Sequence, residues 1–438
     1  MEQTSTTNKV TRRTRWSWYF YDFGNSAYAA VVLLAVYSAY FKNSVVGGAE
    51  GTRLWGLSVG IAAIIVAVIS PVLGSIADFS KAKKRYLYVF TGISIVFTAL
   101  LFFVQKGDVF KGMLFFILAE IGYRGAQVFY DALLVDVSTP DTIGSVSGKG
   151  WAIGSAGGVV ALLIVLIPIK LIGGSDIVRI SFLITAAFYL LSSIPCFMWV
   201  NQVSEPEKLP QGESTLAHAF KNLSKTFRDV RNFKEFIKFM IAFLIYNDGI
   251  MMTMDYAAII GATMFGIQAT QLIVFVIIIQ ITSVAGAYLF GVLSDKKSCK
   301  YALIISLIAM IATVTMLFFI KSVFLFYVVG ALAGFFLSGV QAVSRTFVSQ
   351  LAPSTKTTEF YGFLTVAGRT STFIGPLVFG TLSYRMNNYY VNHGVAATSA
   401  EQMGMMWGIG SIVLFLIIGF GLLLWVRDEK AEKRLAGK

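Results

Sequence analysis

The sequence predicts an all-α membrane protein with twelve transmembrane helices in two pseudo-symmetric six-helix bundles. Three observations carry that reading. The 438 residues are 56% hydrophobic and only 13% charged, with a mean hydropathy of +0.72, whereas a soluble chain carries about 25% charged residues. Twelve runs approach the length of about 20 apolar residues that a bilayer requires. Polar landmarks of the first half return in the second half at a nearly constant offset.

In order, the spans are 17–42, 54–79, 86–104, 112–137, 149–172, 178–200, 236–262, 269–293, 301–320, 323–350, 360–383 and 404–426. The fourth is the least apolar, because it contains Glu120, Arg124, Asp131 and Asp136. Residues 1–200 make one bundle, 201–235 a cytoplasmic linker and 236–438 the second bundle. Within the linker, Leu216, Phe220, Leu223, Phe227 and Val230 recur at helical spacing among Lys221, Lys225, Arg228 and Arg231. That stripe suits an amphipathic helix on the inner leaflet or a cover for the bundle's cytoplasmic face.

The formal net charge is +13. Of the 36 Lys and Arg, about 25 lie on the side that holds both termini and the linker. About eight lie in the opposite loops, among them Lys42, Arg53, Lys106, Lys111 and Arg385. The positive-inside rule therefore places both termini in the cytoplasm of a multi-pass protein, as in a bacterial inner membrane, and explains the basic charge without nucleic acid. Cys196, Cys299, His218 and His393 are scattered and give no disulfide framework, metal site or nucleophile–base set. No cofactor and no enzyme activity is expected, and a monomer suffices. The polar, basic N-terminus followed by a long apolar run does not read as a cleavable signal peptide.

The internal repeat is specific. Gly74 and Asp78 precede basic residues after span two, and Gly291 and Asp295 do so after span eight, 217 positions later. Gln127, Gly148 and Gly154 return as Gln341, Gly362 and Gly368 at an offset of 214, and Pro140 returns as Pro353 at 213. Tyr21-Asp22-Phe23-Gly24 in span one returns as Tyr246-Asn247-Asp248-Gly249 in span seven, at 225. Transporters built by such duplication bind their substrate between the repeats near the midplane.

Six plus six spans, a long central loop and G-x-x-x-D with basic residues after spans two and eight resemble the major facilitator superfamily. Finer stretches resemble its vacuole-effluxer-like branch, which is related to fungal vacuolar amino-acid exporters. They are "YDFGNSAYAAVV" in span one, "GKGWAIGSAGG" entering span five, "YNDG" in span seven, "GVQAVSR" in span ten and "FYGFLTVAGRTSTFIGP" in span eleven. The resemblance implies a secondary transporter that works by alternating access, with spans one, four, seven and ten lining the cavity. It also implies an inner gate at Asp78 and Asp295, to which Asp136 and Arg345 could contribute. Span five departs from the pattern of superfamily proton antiporters, with Ser155 where a Pro would stand.

The charges inside spans agree with that expectation. A charge at mid-bilayer costs at least about 2.5–3.5 kcal/mol on insertion scales, so such residues face the bundle interior or water. Asp22 and Asp131 lie at similar depth, and Arg124 and Asp248 lie near the midplane at ~1.5 Å rise per residue. Glu120 and Arg124 are an i,i+4 pair on one helix face. Arg124 reads as a substrate anchor or as Glu120's structural partner. Asp22 and Asp248 read as proton or ammonium sites, or as packing hydrogen bonds. Tyr21, Asn25, Gln127, Asn247, Gln341 and Arg369 complete the candidate set for binding or coupling. The partners expected are a small polar solute, protons and the bilayer. A carrier of a lipid or cell-wall fragment, with Met251, Met252 and Met254 supplying an apolar stretch, is the alternative. A non-transporting receptor or scaffold is the alternative of another class. No G-x-x-x-x-G-K-[ST] loop is present to power transport with nucleotide.

Overall fold

The computed structural model describes residues 11–79, 82–138, 143–201, 233–351, 368 and 373–428. Every regular element among them is helical, as lipid demands: without water, backbone N–H and C=O groups must bond within the segment. Helix α1 (Arg12–Tyr28) starts on Thr11, whose Oγ1 accepts the Thr14 N–H at 3.2 Å. It widens into a π-helical stretch (Ala29–Ala35), then a short α2 (Tyr37–Tyr40) and a second π-helical stretch (Phe41–Val46). Gly47 and Gly48, at φ 90° and 58°, end the span and turn the chain directly into α3 (Gly48–Phe79). Then follow α4 (Lys83–Leu100), α5 (Val109–Ala132), α6 (Leu134–Val137), α7 (Ile143–Leu171) and α8 (Ser175–Trp199). The second half contributes α9 (Lys234–Phe265), α10 (Ala269–Lys296), α11 (Cys299–Met316), α12 (Val323–Leu351), α13 (Ile374–Asn392) and α14 (Ala397–Leu424). In the turn before α5, the Lys111 ammonium (3.0 Å) and the Gln105 N–H (3.1 Å) hold the Asp108 carboxyl below the usual carboxylate range.

Counting the broken first span once, ten helices are long and apolar enough to cross a bilayer. The fourth and eleventh expected spans fall short among the described residues. Helix α5 runs for 24 residues but carries Lys111, Glu120, Arg124 and Asp131. Helix α13 begins at Ile374, inside the expected 360–383, and continues through the polar Arg385, Asn387 and Asn388 to Asn392. The amphipathic stretch 216–231 lies outside the described residues.

The described residues fall into two compact units. The first takes α1 up to Val32, α3 from Val68, α4, α5 from Leu118, and α6 to α8. The second takes residues 33–67 and 104–117 together with α9 to α14. The portions of the first, second and fourth spans farthest from the N-terminus therefore pack with the C-terminal helices.

In the first unit, α1 lies against α7 and α8. Glycines set the approach: Gly150 sits under the Trp18 ring, Gly157 on the Phe23 backbone, and Gly24 against Ser192. In the second unit, α9 lies against α13 and α14, the corresponding members of the repeat. There Gly249 meets Leu416, and Gly419 meets the Tyr246 backbone. A Cβ at Gly157 would overlap the Phe23 backbone, which cannot swing aside as a side chain could. Gly157→Val is expected to force α1 off α7 at about 1–3 kcal/mol, the usual cost of overpacking. Thermal unfolding in detergent should show it as a clear loss of stability beside Ser155→Val, on a half-buried position of the same helix.

Candidate solute-binding and coupling sites

In the first unit the polar residues gather where α1 faces α5. Glu120 is buried, and its Oε1 holds Arg124 Nε at 2.5 Å, while the Arg124 side chain keeps 23% of its exposure. The i,i+4 spacing alone brings this pair together. Tyr28 approaches Glu120 from α1, its hydroxyl toward the Glu120 carboxylate, and its ring packs at a tilt on Tyr123 with centroids 4.8 Å apart. On the same helix the buried Asn25 Nδ2 has no hydrogen-bond partner among the described residues. A buried polar atom left unsatisfied costs about 1–3 kcal/mol.

One turn toward the N-terminus, half-buried Asp22 sits within electrostatic reach of exposed Asp131. Gly154 of α7 faces the Asp22 carboxylate so closely that any Cβ would collide with it. Gln127 is half-buried on α5. Tyr21 is fully buried, and its hydroxyl is engaged by Thr91 (2.7 Å) and Tyr189 (2.9 Å), so it ties α1 to α4 and α8. Tyr130 stacks on Trp18 at 4.4 Å and takes up its indole N–H through the Tyr130 carbonyl at 3.2 Å.

In the second unit, Asn247 and Gln341 meet: Gln341 Nε2 donates to Asn247 Oδ1 at 3.0 Å, and Asn247 Nδ2 reaches the Gly368 carbonyl at 3.4 Å. Tyr246 bonds Ser344 at 2.7 Å. Asp248 is 3% exposed and lies at the start of α13, where the Gly375 N–H points at its carboxylate. Its Oδ1 has no hydrogen-bond partner among the described residues. In the repeat, Asp22 corresponds to Asn247 and Asp248 to Phe23, so the two carboxylates are not equivalent.

Of the expected gate residues, Asp136 is buried and paired with Lys83 at 3.8 Å, and Lys83 also donates to the Ala132 carbonyl at 3.3 Å. Arg345 is exposed on α12. The backbones of Asp78 and Asp295 lie in α3 and α10, but their side chains are outside the described set, as is all of Arg369. No group of His, Cys, Asp and Glu among the described residues could hold a metal ion.

The family model for vacuole effluxer Atg22-like proteins matches residues 54–436. The chain belongs to that family. Over 424 residues it is 27% identical to the uncharacterized MFS-type transporter YxiO of Bacillus subtilis, covering 94% of each chain. Autophagy-related protein 22 of Yarrowia lipolytica is 23% identical over 316 residues, and the match spans 66% of this chain but only 51% of that protein. Among solved structures, a bacterial homolog to the human lysosomal transporter Spinster, inward-facing and unoccupied, aligns with a TM-score of 0.70 at 15% identity, covering 94% and 95% of the two chains. A mutant of the nucleoside transporter NupG aligns with a TM-score of 0.72 at 13% identity, covering 93% and 99%. At those identities the likeness shows the fold alone, and it is that of the major facilitator transporters. This member of the effluxer family is an integral, multi-pass membrane transporter, not an enzyme.

Several residues of this effluxer-family chain escaped the sequence reading. Lys42, counted there as a loop charge, is 4% exposed inside the second π-helical stretch and pairs with Glu401 of α14 at 2.5 Å. Trp55 is fully buried and donates its indole N–H to the Asp255 carbonyl at 3.0 Å. Tyr256 is fully buried and donates to the Pro376 carbonyl at 2.8 Å. One signal was available for the helix running on past Lys42: the glycines that end it come only at 47 and 48.

Proposed function

We propose that this protein is a secondary active transporter that moves a small polar, amino-acid-like solute by alternating access, coupled to protons. The observation that carries the proposal is the buried Glu120–Arg124 pair, its guanidinium still partly exposed and the Tyr28 hydroxyl beside it. Guanidinium suits a carboxylate, and a carboxylate suits an ammonium. The same cluster therefore offers both halves of a zwitterion's recognition. The vacuole effluxer family supports efflux as the direction of transport. The basic bias of the terminal side supports cytoplasmic termini and an inner-membrane setting. The repeat supports two six-helix halves joined at 201–235, with Asp78 and Asp295 at an inner gate.

A second reading rests on a different feature of the second unit. A cavity there is lined almost wholly by apolar side chains, among them Met254, Ala257, Phe275, Ile279, Phe326 and Leu337. It favours a solute with an apolar tail, such as a lipid or a cell-wall fragment. Uptake and efflux by the purified protein in vesicles, against amino acids, peptides and lysolipids under an imposed pH gradient, separates the two. Amino-acid flux that rises with the proton gradient is expected. Flux confined to lysolipids would overturn the first reading in favour of the second.

A further inference from the structure

We propose that Lys42 and Glu401 form a latch, required for the transport cycle, that holds shut the end of the second unit where the first span meets the last helix. The inference rests on the transport reading above. Among the described residues, most ion pairs join residues three or four apart in sequence. Lys42–Glu401 instead joins the first span to the last helix, with side chains only 5% and 19% exposed. Across a seam largely withdrawn from water the attraction between the two charges is strengthened, and either charge left there alone would be stranded. The pair therefore favours the closed arrangement and resists parting until both charges have somewhere to go.

What surrounds the pair is made to part cleanly. Helix α3 begins beside Lys42, with Gly51 packed on the Lys42 backbone. Gly56 and Gly60 of α3 then meet Pro376 and Leu377 of α13, and Gly380 of α13 meets Thr52 and Arg53 in return. Glycines set the close approach of the two helices there. The Trp55 indole reaches the Asp255 carbonyl, and the Tyr256 hydroxyl reaches the Pro376 carbonyl. Both are single neutral bonds to backbone. The nearby Arg53 pairs with Glu50 at 2.5 Å and lies 5.0 Å over the Tyr384 ring, but Arg53 and Glu50 are each 37% exposed. Only Lys42–Glu401, among the described residues, places two opposite, nearly dry charges across the seam. Lys42 also sits in a π-helical stretch, a form that marks functional sites more often than plain α-helix does.

The test reads closure directly, so its failure is distinct from failure of the transport reading. Thr52 is fully buried in the seam, and the smaller Cys side chain fits in its place. With Cys196 and Cys299 replaced by Ala, Thr52→Cys in full-length protein in vesicles is titrated with a bulky polar maleimide. A buried thiol reacts only when the seam opens. Slow labelling is expected in this parent. Lys42→Met with Glu401→Gln removes both charges without stranding either, and is expected to raise the labelling rate about tenfold. The exchanged pair, Lys42→Glu with Glu401→Lys, is expected to return labelling toward the parent rate. A neutral pair that labels at the parent rate overturns the latch. So does an exchanged pair that folds, by size-exclusion profile, yet labels as fast as the neutral one. A parent that moves no solute while its labelling still responds to these substitutions would strike the transport reading and leave the closure in place.

Discussion

Arg124→Ala should abolish measurable binding of a zwitterionic or anionic solute. A charge-assisted hydrogen bond is worth about 1.5–3 kcal/mol, which corresponds to roughly 10- to 150-fold in affinity. The single substitution does a second thing. It strands Glu120, whose side chain is only 2% exposed, without its counter-charge, and breaking a buried pair costs about 3–5 kcal/mol. The variant is therefore expected to lose thermal stability as well as binding. Glu120→Gln with Arg124→Met separates the two effects, since it leaves no buried charge behind. Isothermal titration or scintillation proximity with the solute found in vesicles gives the answer. If the double variant folds and binds at wild-type strength, Glu120 and Arg124 are a structural pair, and the solute is held elsewhere.

The fold was legible because its causes are repetitive. Apolar runs of spanning length, basic loops on one side and landmarks spaced by 213 to 225 positions each follow from insertion into lipid and from duplication. Contacts set by helical periodicity were legible too: Glu120 and Arg124 lie four apart and do pair. The meeting of Asn247 with Gln341 joins two charge-free polar residues on different spans, and the repeat was the only hint of it. What stayed hidden depends on contacts between distant spans. Nothing in the sequence around Lys42 says that the side chain turns inward to Glu401, because a lysine at a span end usually reaches for water or headgroups. The π-helical stretches arise in "AAVVLLA" and "FKNSVV", which contain no Pro or Gly to announce them. Tyr21 looked like a cavity residue because it lies deep on span one. Its turn of the helix points at Thr91 and Tyr189, which the sequence places 70 and 168 positions away.

The two intramembrane carboxylates should separate in their roles. Asp22 is half-buried, is crowded by Asp131, and makes no hydrogen bond to a described residue. The glycine at 154 leaves its carboxylate room and no partner. Such a group can take up and release a proton without breaking anything that holds the helices together. Asp248 is buried against α13 instead, with the Gly375 N–H of its first turn directed at the carboxylate. An amide oxygen can still accept that N–H, whereas a methyl group cannot. Asp248→Asn is therefore expected to keep the fold, and Asp248→Ala to lose about 0.5–2 kcal/mol, the range for a side-chain oxygen lost at a helix N-terminus. Asp22→Asn is expected to leave stability nearly unchanged and to remove the dependence of net transport on the proton gradient, while solute-for-solute exchange continues. Exchange needs binding and reorientation but no net proton movement, so the pair of assays isolates coupling from binding. Wild-type gradient dependence in Asp22→Asn, together with its loss in Asp248→Asn, would assign the proton to Asp248 and reduce Asp22 to packing against α7.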